Sequence, residues 1–437
     1  KHVTGFGEFK ESLTISIDDA AVISGVSSDS ITELARMIGS GVPTTLIPGF
    51  GMQRYTNGGQ TIRSLLAINI LTGNIGREGC GFNYANLQGY VYDHLKEPLS
   101  YYPDINPDPL FRREIPVALL GERMLSMSNP ELKMAWIERG NPLTQAPDTS
   151  LVEKAFQKLD FVVVIEQFMN DTAAAADLVL PAKNMFEQQD IISSYWSPYI
   201  FYRPRVLNPV GDILPESDIY YHLARRMNLE HDDSVIPSPG ENNLDNWLSA
   251  RIEGMTDLTL DDLRKAPCIA PGFEEIAYSD LSFKTPSEKI ELLSETAGSK
   301  WGVNTLPGYS KAFMRDDRKH KYYFMTPNNR NRIHSQFGNL DIIRENDPFP
   351  KVQVSYGDAS ELDLQNNDEV RIFNDQGEVI VRADVTARIM EGCVSIPNGW
   401  WKLEGGGGNM LSKGTETDMG FGTAFHDTMV SLEKVKR

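Results

Sequence analysis

The chain has 437 residues and a formal net charge of −18, from 60 acidic against 42 basic residues. This length exceeds what one ordinary hydrophobic core needs, so two or three domains are expected. The negative charge repels a polyanion, and no lysine- or arginine-rich run offsets it, which argues against nucleic acid as a partner. A small anionic ligand remains allowed, because helix N-termini and backbone N–H groups bind phosphate without net positive charge.

The cysteine and apolar patterns narrow the class of protein further. The three cysteines, Cys80, Cys268 and Cys393, lie far apart and form no CxxC pair. That spacing excludes a zinc ribbon or a cysteine-ligated iron–sulfur cluster within this chain. The longest apolar runs, such as 161–165, have the length of a strand and are far too short to span a membrane.

Residues 1–190 alternate between helix and strand patterns. Capping residues and apolar residues that recur three or four positions apart predict helices over 29–38, 59–71 and 149–158. Short apolar runs predict buried strands over 43–48, 133–137, 161–165 and 176–181. Strands that alternate with helices favour an α/β fold with a parallel sheet covered on both faces.

The rest of the chain divides into two regions. Residues 191–317 are rich in Pro, Gly and Asn, and we interpret them as an irregular, mixed α/β covering region with a few helices, one of them over 218–227. Residues 318–437 contain short, evenly spaced, β-branched segments separated by turn residues, which predicts a C-terminal β-barrel domain. The predicted strands of this domain cover 322–325, 352–354, 369–373, 378–383 and 392–396.

In the α/β region, candidate ligand-binding segments follow three predicted strands. Gly49 and Gly51 follow the first strand, and they would let a ligand approach the backbone. Such a Gly-X-Gly turn just as often only connects two elements and binds nothing. Asn141 lies in a Gly-Asn-Pro turn after the second strand, and Glu166 ends the third. Open α/β sheets bind ligands at this edge, but a simple turn and a solvated carboxylate remain alternatives. No GxGxxG fingerprint or phosphate-binding loop occurs.

The barrel region adds two polar or glycine-rich segments. Residues 326–336 (TPNNRNRIHSQ) are too polar for a tight turn, and their many donors suit a ligand with phosphate and keto groups. Residues 397–401 (PNGWW) and 405–411 (GGGGNML) form either a flexible loop or a surface that packs against a flat ring. Phe425 and His426 lie near the C-terminus, where a single histidine is usually structural.

The order of these motifs resembles that of the dimethyl sulfoxide reductase family of molybdopterin oxidoreductases, from about Gly5 to Val435. The motifs that carry the resemblance are GFGMQRYTNGG, LTGNIGREGCGF, GNPL, VVVIEQF with TAAAADLVLP, FEQQDI, IHSQFGN and GNMLS. The resemblance implies α/β domains followed by a C-terminal β-barrel, with the cofactor between them. That cofactor is a pair of molybdopterin guanine dinucleotides holding Mo or W.

The resemblance also implies roles for individual residues. Gly51 and Gln53 should lie along one dinucleotide, with Asn141 at the same sheet edge. Glu166, Asn170 and Thr172 should contact a guanosine. The barrel positions that match pterin or phosphate contacts are Thr326, His334, Ser335, Gln336, Asn409, Phe425 and His426. Arg54 and His334 are expected to place charge near the cofactor.

The same resemblance sets limits on the expected activity. In the family, the protein ligand of the metal and the iron–sulfur cysteines belong to an N-terminal portion, so we expect this chain to bind cofactor without forming a complete active site. The segment 81–89 (GFNYANLQG) lacks the arginine and the paired glutamine of formate dehydrogenases, which disfavours formate as a substrate.

These expectations lead to one function and two alternatives. We expect a two-electron redox reaction, such as oxygen-atom transfer, with electrons passed to an iron–sulfur partner. The alternatives are a cofactor-free binding or assembly protein of the same fold, and a non-redox metallopterin hydratase.

Overall fold

The computed structural model describes residues 1–84, 115–129, 131–194, 197–230, 232–252, 257–271, 273–310 and 319–436. The helices in these ranges are α1 (Phe6–Ser12), α2 (Ile17–Ser24), α3 (Ser28–Gly39), α4 (Gly58–Leu71), α5 (Leu120–Ser126), α6 (Pro142–Gln145), α7 (Thr149–Lys158), α8 (Asp171–Ala174), α9 (Glu216–Arg226), α10 (Glu241–Ile252), α11 (Leu260–Lys265), α12 (Glu295–Trp301), α13 (Asp341–Asn346) and α14 (Tyr356–Glu361). Short 3₁₀ helices cover Phe50–Gln53, Val117–Leu119, Lys402–Glu404 and Gly408–Met410.

The strands of the described ranges form five separate sheets. They are β1 (Val3–Thr4), β2 (Thr45–Leu46), β3 (Gly81–Phe82), β4 (Met134–Glu138), β5 (Phe161–Glu166), β6 (Leu178–Pro181), β7 (Asp190–Ser194), β8 (Ser197–Arg203), β9 (Cys268–Ile269), β10 (Ile290–Glu291), β11 (Tyr322–Met325), β12 (Lys351–Val354), β13 (Glu369–Phe373), β14 (Glu378–Val385), β15 (Cys393–Ser395) and β16 (Met429–Lys434). Strands β4, β5 and β6 make a parallel sheet, and β7, β8 and β9 an antiparallel one. The pairs β1–β10 and β2–β3 are short and parallel.

The parallel sheet and its helix form as the sequence predicts. Asp148 caps α7 by accepting a hydrogen bond from the backbone N–H of Leu151 (3.3 Å), which satisfies a donor that the first turn leaves free. The apolar face of α7 then packs against β5, whose residues Val162 and Val164 are fully buried in the same core. Parallel pairing of β4 with β5 brings their carboxyl ends to one edge of the sheet.

A closed six-stranded barrel forms the C-terminal part, in the order β11-β15-β12-β14-β13-β16. The reason is visible in β14, where Val379, Val381 and Ala383 alternate with outward-facing residues. The α/β fold class and the barrel are therefore confirmed. The barrel also contains β16, which the sequence pattern did not reveal. The limits 1–190, 191–317 and 318–437 stay a prediction.

Two expectations about buried strands are wrong in part. Residues 43–48 do not form a buried strand, because β2 has only two residues, pairs with β3 alone, and leaves Ile47 63% exposed. Strand β6 forms as predicted, but as an edge strand it is only half-buried. Within residues 191–317, β8 pairs with β7 and β9 around a core that includes Ile200 and Leu248.

None of the helices in the described ranges combines the length and hydropathy of a membrane-crossing segment. The same ranges contain no cluster of three or more His, Cys, Asp or Glu side chains that could hold a metal ion.

Candidate cofactor-binding site

Polar side chains at the carboxyl edge of the parallel sheet form one hydrogen-bonded group. Asn141 follows β4, is 4% exposed, and its Oδ1 accepts from the Thr172 hydroxyl (2.7 Å) and the Thr172 backbone N–H (3.3 Å). Glu166 ends β5 and accepts from the Asn170 side-chain amide (2.9 Å) and the backbone N–H of Gln167 (2.7 Å). The structure thus places Asn141, Glu166, Asn170 and Thr172 together.

The barrel docks against this edge through its glycine-rich segment. The Asn409 amide donates to the carbonyls of Thr144 and Gln145 (both 2.9 Å) at the end of α6. The Gln145 side chain in turn donates to the Ser335 hydroxyl (3.1 Å). The Asp171 carboxylate accepts from the Thr144 hydroxyl (2.6 Å) and from the backbone N–H of Lys402. These contacts place Ser335 and Asn409 beside the sheet-edge group, and we call this place the junction.

A second group forms around Arg54. Its guanidinium donates to the Thr326 carbonyl (2.8 Å) and hydroxyl (3.0 Å), and it lies 4.5 Å above the centre of the Phe425 ring. The backbone N–H of His426 donates to the Arg54 carbonyl (3.0 Å). Thr326, Phe425 and His426 are therefore brought together by one arginine. Burial lowers the pKa of Arg54 to about 10, which still leaves it charged at neutral pH.

Gly51 and Gln53 lie on the 3₁₀ helix before α4, with open space around the Gly51 Cα. The Gln53 side chain accepts from the Tyr84 hydroxyl. In the described part of the chain, no hydrogen bond or ion pair joins either residue to the sheet-edge group. The N-terminus of α4 is occupied from within: the Asp418 carboxylate accepts from the backbone N–H groups of Gly59 (2.7 Å) and Gln60 (3.0 Å).

His334 and Gln336 differ from Ser335, which lies between them. Both side chains are exposed, and neither makes a side-chain hydrogen bond to another described residue. His334 has a φ of 50°, and its carbonyl lies against Gly399, where a Cβ would be 1.6 Å away. The 326–336 segment is thus held to the 397–401 segment through backbone contact. Any role of these two side chains toward a ligand stays a prediction.

Sequence reasoning missed Arg332, which organises the barrel side of the junction. Its side chain is 0% exposed, pairs with Glu404 through both terminal nitrogens (2.7 and 3.0 Å), and stacks 3.8 Å from the centre of the Trp400 ring. The polar run 326–336 was a signal for this residue. Asp418 gave no such signal, because its partner on α4 lies 359 residues away in the sequence.

Several buried polar atoms, at the junction and in the group around Arg54, have no partner in the described structure. They include Asn141 Nδ2, Asn398 Oδ1, Thr56 Oγ1 and His426 Nε2. A buried polar group without a partner costs about 1–3 kcal/mol, so such groups are rare unless a ligand or water satisfies them. Donors and acceptors of this kind fit a ligand that carries phosphate, amide and ring N–H groups.

Comparison with known proteins gives the family. A family model of molybdopterin oxidoreductases matches residues 18–226, and one of the molybdopterin dinucleotide-binding domain matches residues 322–429. The chain belongs to the dimethyl sulfoxide reductase family of molybdopterin oxidoreductases. The dinucleotide domain indicates a molybdopterin guanine dinucleotide with Mo or W as the group it binds.

Curated relatives and one solved structure agree with this membership. The probable oxidoreductase YyaE of Bacillus subtilis is 31% identical over 99% of this chain and 64% of its own length. Dimethyl sulfoxide reductase DmsA of Escherichia coli is 27% identical over 98% of this chain and 58% of its own. Trimethylamine-N-oxide reductase of Haemophilus influenzae is 26% identical, with shares of 92% and 55%. The chain therefore spans less than two thirds of the length of these relatives.

The acetylene hydratase of Pelobacter acetylenicus has a similar fold, with a TM-score of 0.79 at 19% identity, over 100% of this chain and 67% of that one. This similarity supports the fold assignment alone. The predicted departure from formate dehydrogenases depends mainly on residues 85–89, which lie outside the described residues.

Proposed function

We propose that this chain holds a molybdopterin guanine dinucleotide at the junction, as part of an oxidoreductase that exchanges two electrons with a small substrate. The observation that carries the proposal is the Asn141 amide, which is 4% exposed and has an unpartnered Nδ2 at the carboxyl edge of the parallel sheet. Open α/β sheets bind dinucleotides at this edge. The barrel contacts from Ser335 and Asn409 close the same place from the other side.

The proposed contacts divide by chemistry. Asn141 would donate its free amide hydrogens to the ligand, while Thr172 fixes the amide orientation. Glu166 and Asn170 would face the guanosine, and each already holds the other in place. The other proposed contacts are Gly51, Gln53, Thr326, His334, Ser335, Gln336, Asn409, Phe425 and His426. The bound metal centre would supply the two-electron chemistry, and these residues would bind and orient it.

Oxygen-atom transfer is the reaction class that we propose. Two of the relatives are named as reductases of a sulfoxide and of an N-oxide. Reduction of either compound removes one oxygen as water and consumes two electrons and two protons. An iron–sulfur protein is the proposed source of those electrons, as the resemblance to the family implies.

The first test is cofactor content. The longest reading frame that contains this chain is expressed in a host that makes molybdopterin guanine dinucleotide. Mo, W and Fe per polypeptide are measured by mass spectrometry, and bound GMP is measured after acid release, with the 437-residue chain alone for comparison. Metal and GMP in the long protein support the proposal. If the long protein carries neither Mo nor W in a competent host, the cofactor-free binding protein replaces it.

Asn141→Asp tests the junction itself. The substitution keeps the acceptor for Thr172, removes the free donor and adds negative charge toward the ligand phosphates. We expect bound GMP to fall by about tenfold or more, because a hydrogen bond to a charged group contributes about 1.5–3 kcal/mol. Asn366→Asp, at an exposed amide that accepts from the Val385 backbone, is the matched control. Equal GMP content in the two variants would place the dinucleotide elsewhere.

Turnover assays separate the redox proposal from the hydratase alternative. With reduced methyl viologen as donor, we expect dimethyl sulfoxide or trimethylamine N-oxide to oxidise two viologens per molecule of product. A metal-loaded protein that hydrates a substrate without any electron donor or acceptor would identify the hydratase. The similarity of fold to an acetylene hydratase makes that measurement worthwhile.

A further inference from the structure

Asp171, the first residue of α8, contacts the barrel. Its two carboxylate oxygens accept from the backbone N–H of Lys402, at 3.1 and 2.9 Å. One of them also accepts from the Thr144 hydroxyl on α6, at 2.6 Å. A carboxylate forms stronger hydrogen bonds than a neutral acceptor does. One side chain therefore holds the barrel, α6 and α8 together.

The residue that follows Asp171 holds the Asn141 amide. The Thr172 hydroxyl and backbone N–H both donate to Asn141 Oδ1, at 2.7 and 3.3 Å, and the same hydroxyl accepts from the backbone N–H of Leu143, at 3.1 Å. Thr172 and Asn141 are both buried, so water does not compete for these bonds. Because Thr172 fixes Oδ1, the direction in which the unpartnered Nδ2 of Asn141 points depends on where α8 lies.

The barrel binds both of the helices that hold this amide in place. Asn409 donates to the carbonyls of Thr144 and Gln145 at the end of α6, while Lys402 donates to Asp171 at the start of α8. Each of these helices has only four residues, and a helix that short is not stable without contacts to other elements. The barrel therefore helps to determine how α6 and α8 lie relative to each other.

We propose that Asp171 is a positioning residue, which couples the docking of the barrel to the orientation of the Asn141 amide. The ligand site is then complete only when the Lys402 N–H is bonded to Asp171. The identity of the ligand rests on the proposed function. The coupling itself does not, because it depends only on contacts within the chain.

The bond between barrel and α8 can be broken from either side. Asp171→Ala removes the acceptor, whereas Asp171→Asn keeps an oxygen for the Lys402 N–H and should behave nearly like the unsubstituted protein. Lys402→Pro removes the donor and leaves the bond between Asp171 and Thr144 in place. Proline fits there, because Lys402 begins a 3₁₀ helix and Trp401 before it has an extended backbone with a ψ of 155°. Lys402→Pro also breaks the ion pair of Lys402 with Glu153 (2.7 Å), so Glu153→Gln, which breaks that pair alone, is the matched control.

The first experiment needs no cofactor. The longest reading frame that contains this chain is expressed in a host that lacks molybdopterin, and amide hydrogen exchange is measured by mass spectrometry over 170–176, which includes the Thr172 N–H bonded to Asn141. Exchange there should be about tenfold faster in Asp171→Ala and Lys402→Pro, and unchanged in Glu153→Gln. Strand β5 should exchange equally in all variants. Unchanged exchange over 170–176 in Lys402→Pro, or an increase as large in β5 or in Glu153→Gln, would overturn the proposal.

The second experiment uses protein loaded with cofactor and follows the loss of bound GMP with time. Loss should be about tenfold faster in Asp171→Ala and Lys402→Pro, and within about twofold of the unsubstituted rate in Glu153→Gln. Because Asp171 acts through the Asn141 amide, Asp171→Ala should add little to the effect of Asn141→Asp in the double variant. Effects that multiply, as at two independent sites, would overturn the ligand part of the proposal. If no protein binds Mo, W or GMP, the proposed function fails, while the first experiment still decides the coupling.

Discussion

The ion pair between Arg332 and Glu404 is the sharpest place to test how the barrel side of the junction is held. Arg332 is 0% exposed at its side chain and Glu404 is 12% exposed, with two parallel contacts of 2.7 and 3.0 Å. Arg332→Met leaves the carboxylate buried without its cation and removes the stack on Trp400. Breaking one partner of a buried pair costs about 3–5 kcal/mol, so we expect a loss of that size.

Urea unfolding followed by tryptophan fluorescence measures this loss by linear extrapolation. The exposed pairs of Arg371 with Glu378 and Glu433 provide the control, and Arg371→Met should cost much less than Arg332→Met, because solvent screens an exposed pair. In the double variant Arg332→Met with Glu404→Gln, the uncompensated charge is gone, so about 2 kcal/mol should return. The reasoning is refuted if Arg332→Met costs no more than Arg371→Met, or if the double variant is no more stable than the single one.

Three further predictions concern contacts that join distant parts of the chain. Burial lowers the pKa of His426 to about 4, so on acidification the unfolded chain binds this proton before the folded protein does. The free energy of unfolding should therefore fall by up to about 3 kcal/mol as the pH drops from 6.5 to 4. His426→Gln should remove this pH dependence in urea titrations at several pH values, and an unchanged pH dependence would contradict the prediction. Asp418→Ala removes the carboxylate that caps α4, and we expect the free energy of unfolding to fall by about 1–2 kcal/mol. Amide hydrogen exchange at Gly59 and Gln60 should become faster, and unchanged exchange there would show that the cap is unimportant. Gly399→Ala should destabilise the barrel by about 3 kcal/mol or more, because Gly399 has a φ of 90° and a Cβ would overlap the His334 carbonyl. Gly392→Ala is the control: Gly392 has a φ of 76° and open space, so its substitution should cost only about 1 kcal/mol. Equal urea midpoints for the two variants would contradict the predicted overlap.

Local patterns predicted the elements whose cause is local. The helix over 149–158 is confirmed at both ends because Asp148 caps it and its apolar spacing matches the helical period. Buried and outward-facing residues alternate along β14, and short, evenly spaced, β-branched segments separated by turn residues identified the barrel. Strand β16 was missed, since its residues pair with β11 and β13 from far along the chain. The prediction of a buried strand over 43–48 was wrong, because hydrophobicity alone does not show which elements cover a strand.

Site residues could likewise be predicted only where a local sequence pattern places them. Asn141 and Glu166 could be found because each follows a predicted strand, and parallel strands bring such residues to one edge. Arg332 and Asp418 could not be assigned, because their roles depend on partners supplied by packing of the barrel. Arg54 was expected to place charge near a cofactor, and this stays a prediction; its contacts with Thr326 and Phe425 could not be foreseen, because they join segments far apart in the sequence.

Contacts at two places attach the barrel to the α/β region, and a bound ligand would strengthen this attachment. Asn409 binds the carbonyls at the end of α6, and Asp418 binds the N-terminus of α4, so the barrel is fastened to two separate parts of the α/β region. A ligand that bridges Asn141 and the barrel would favour the docked arrangement over any undocked one. Its binding free energy then adds to the free energy of docking, by RT ln(1 + [L]/Kd). Cofactor-loaded protein should therefore resist proteolysis between the two regions better than unloaded protein, and Asn141→Asp should reduce that protection along with GMP content.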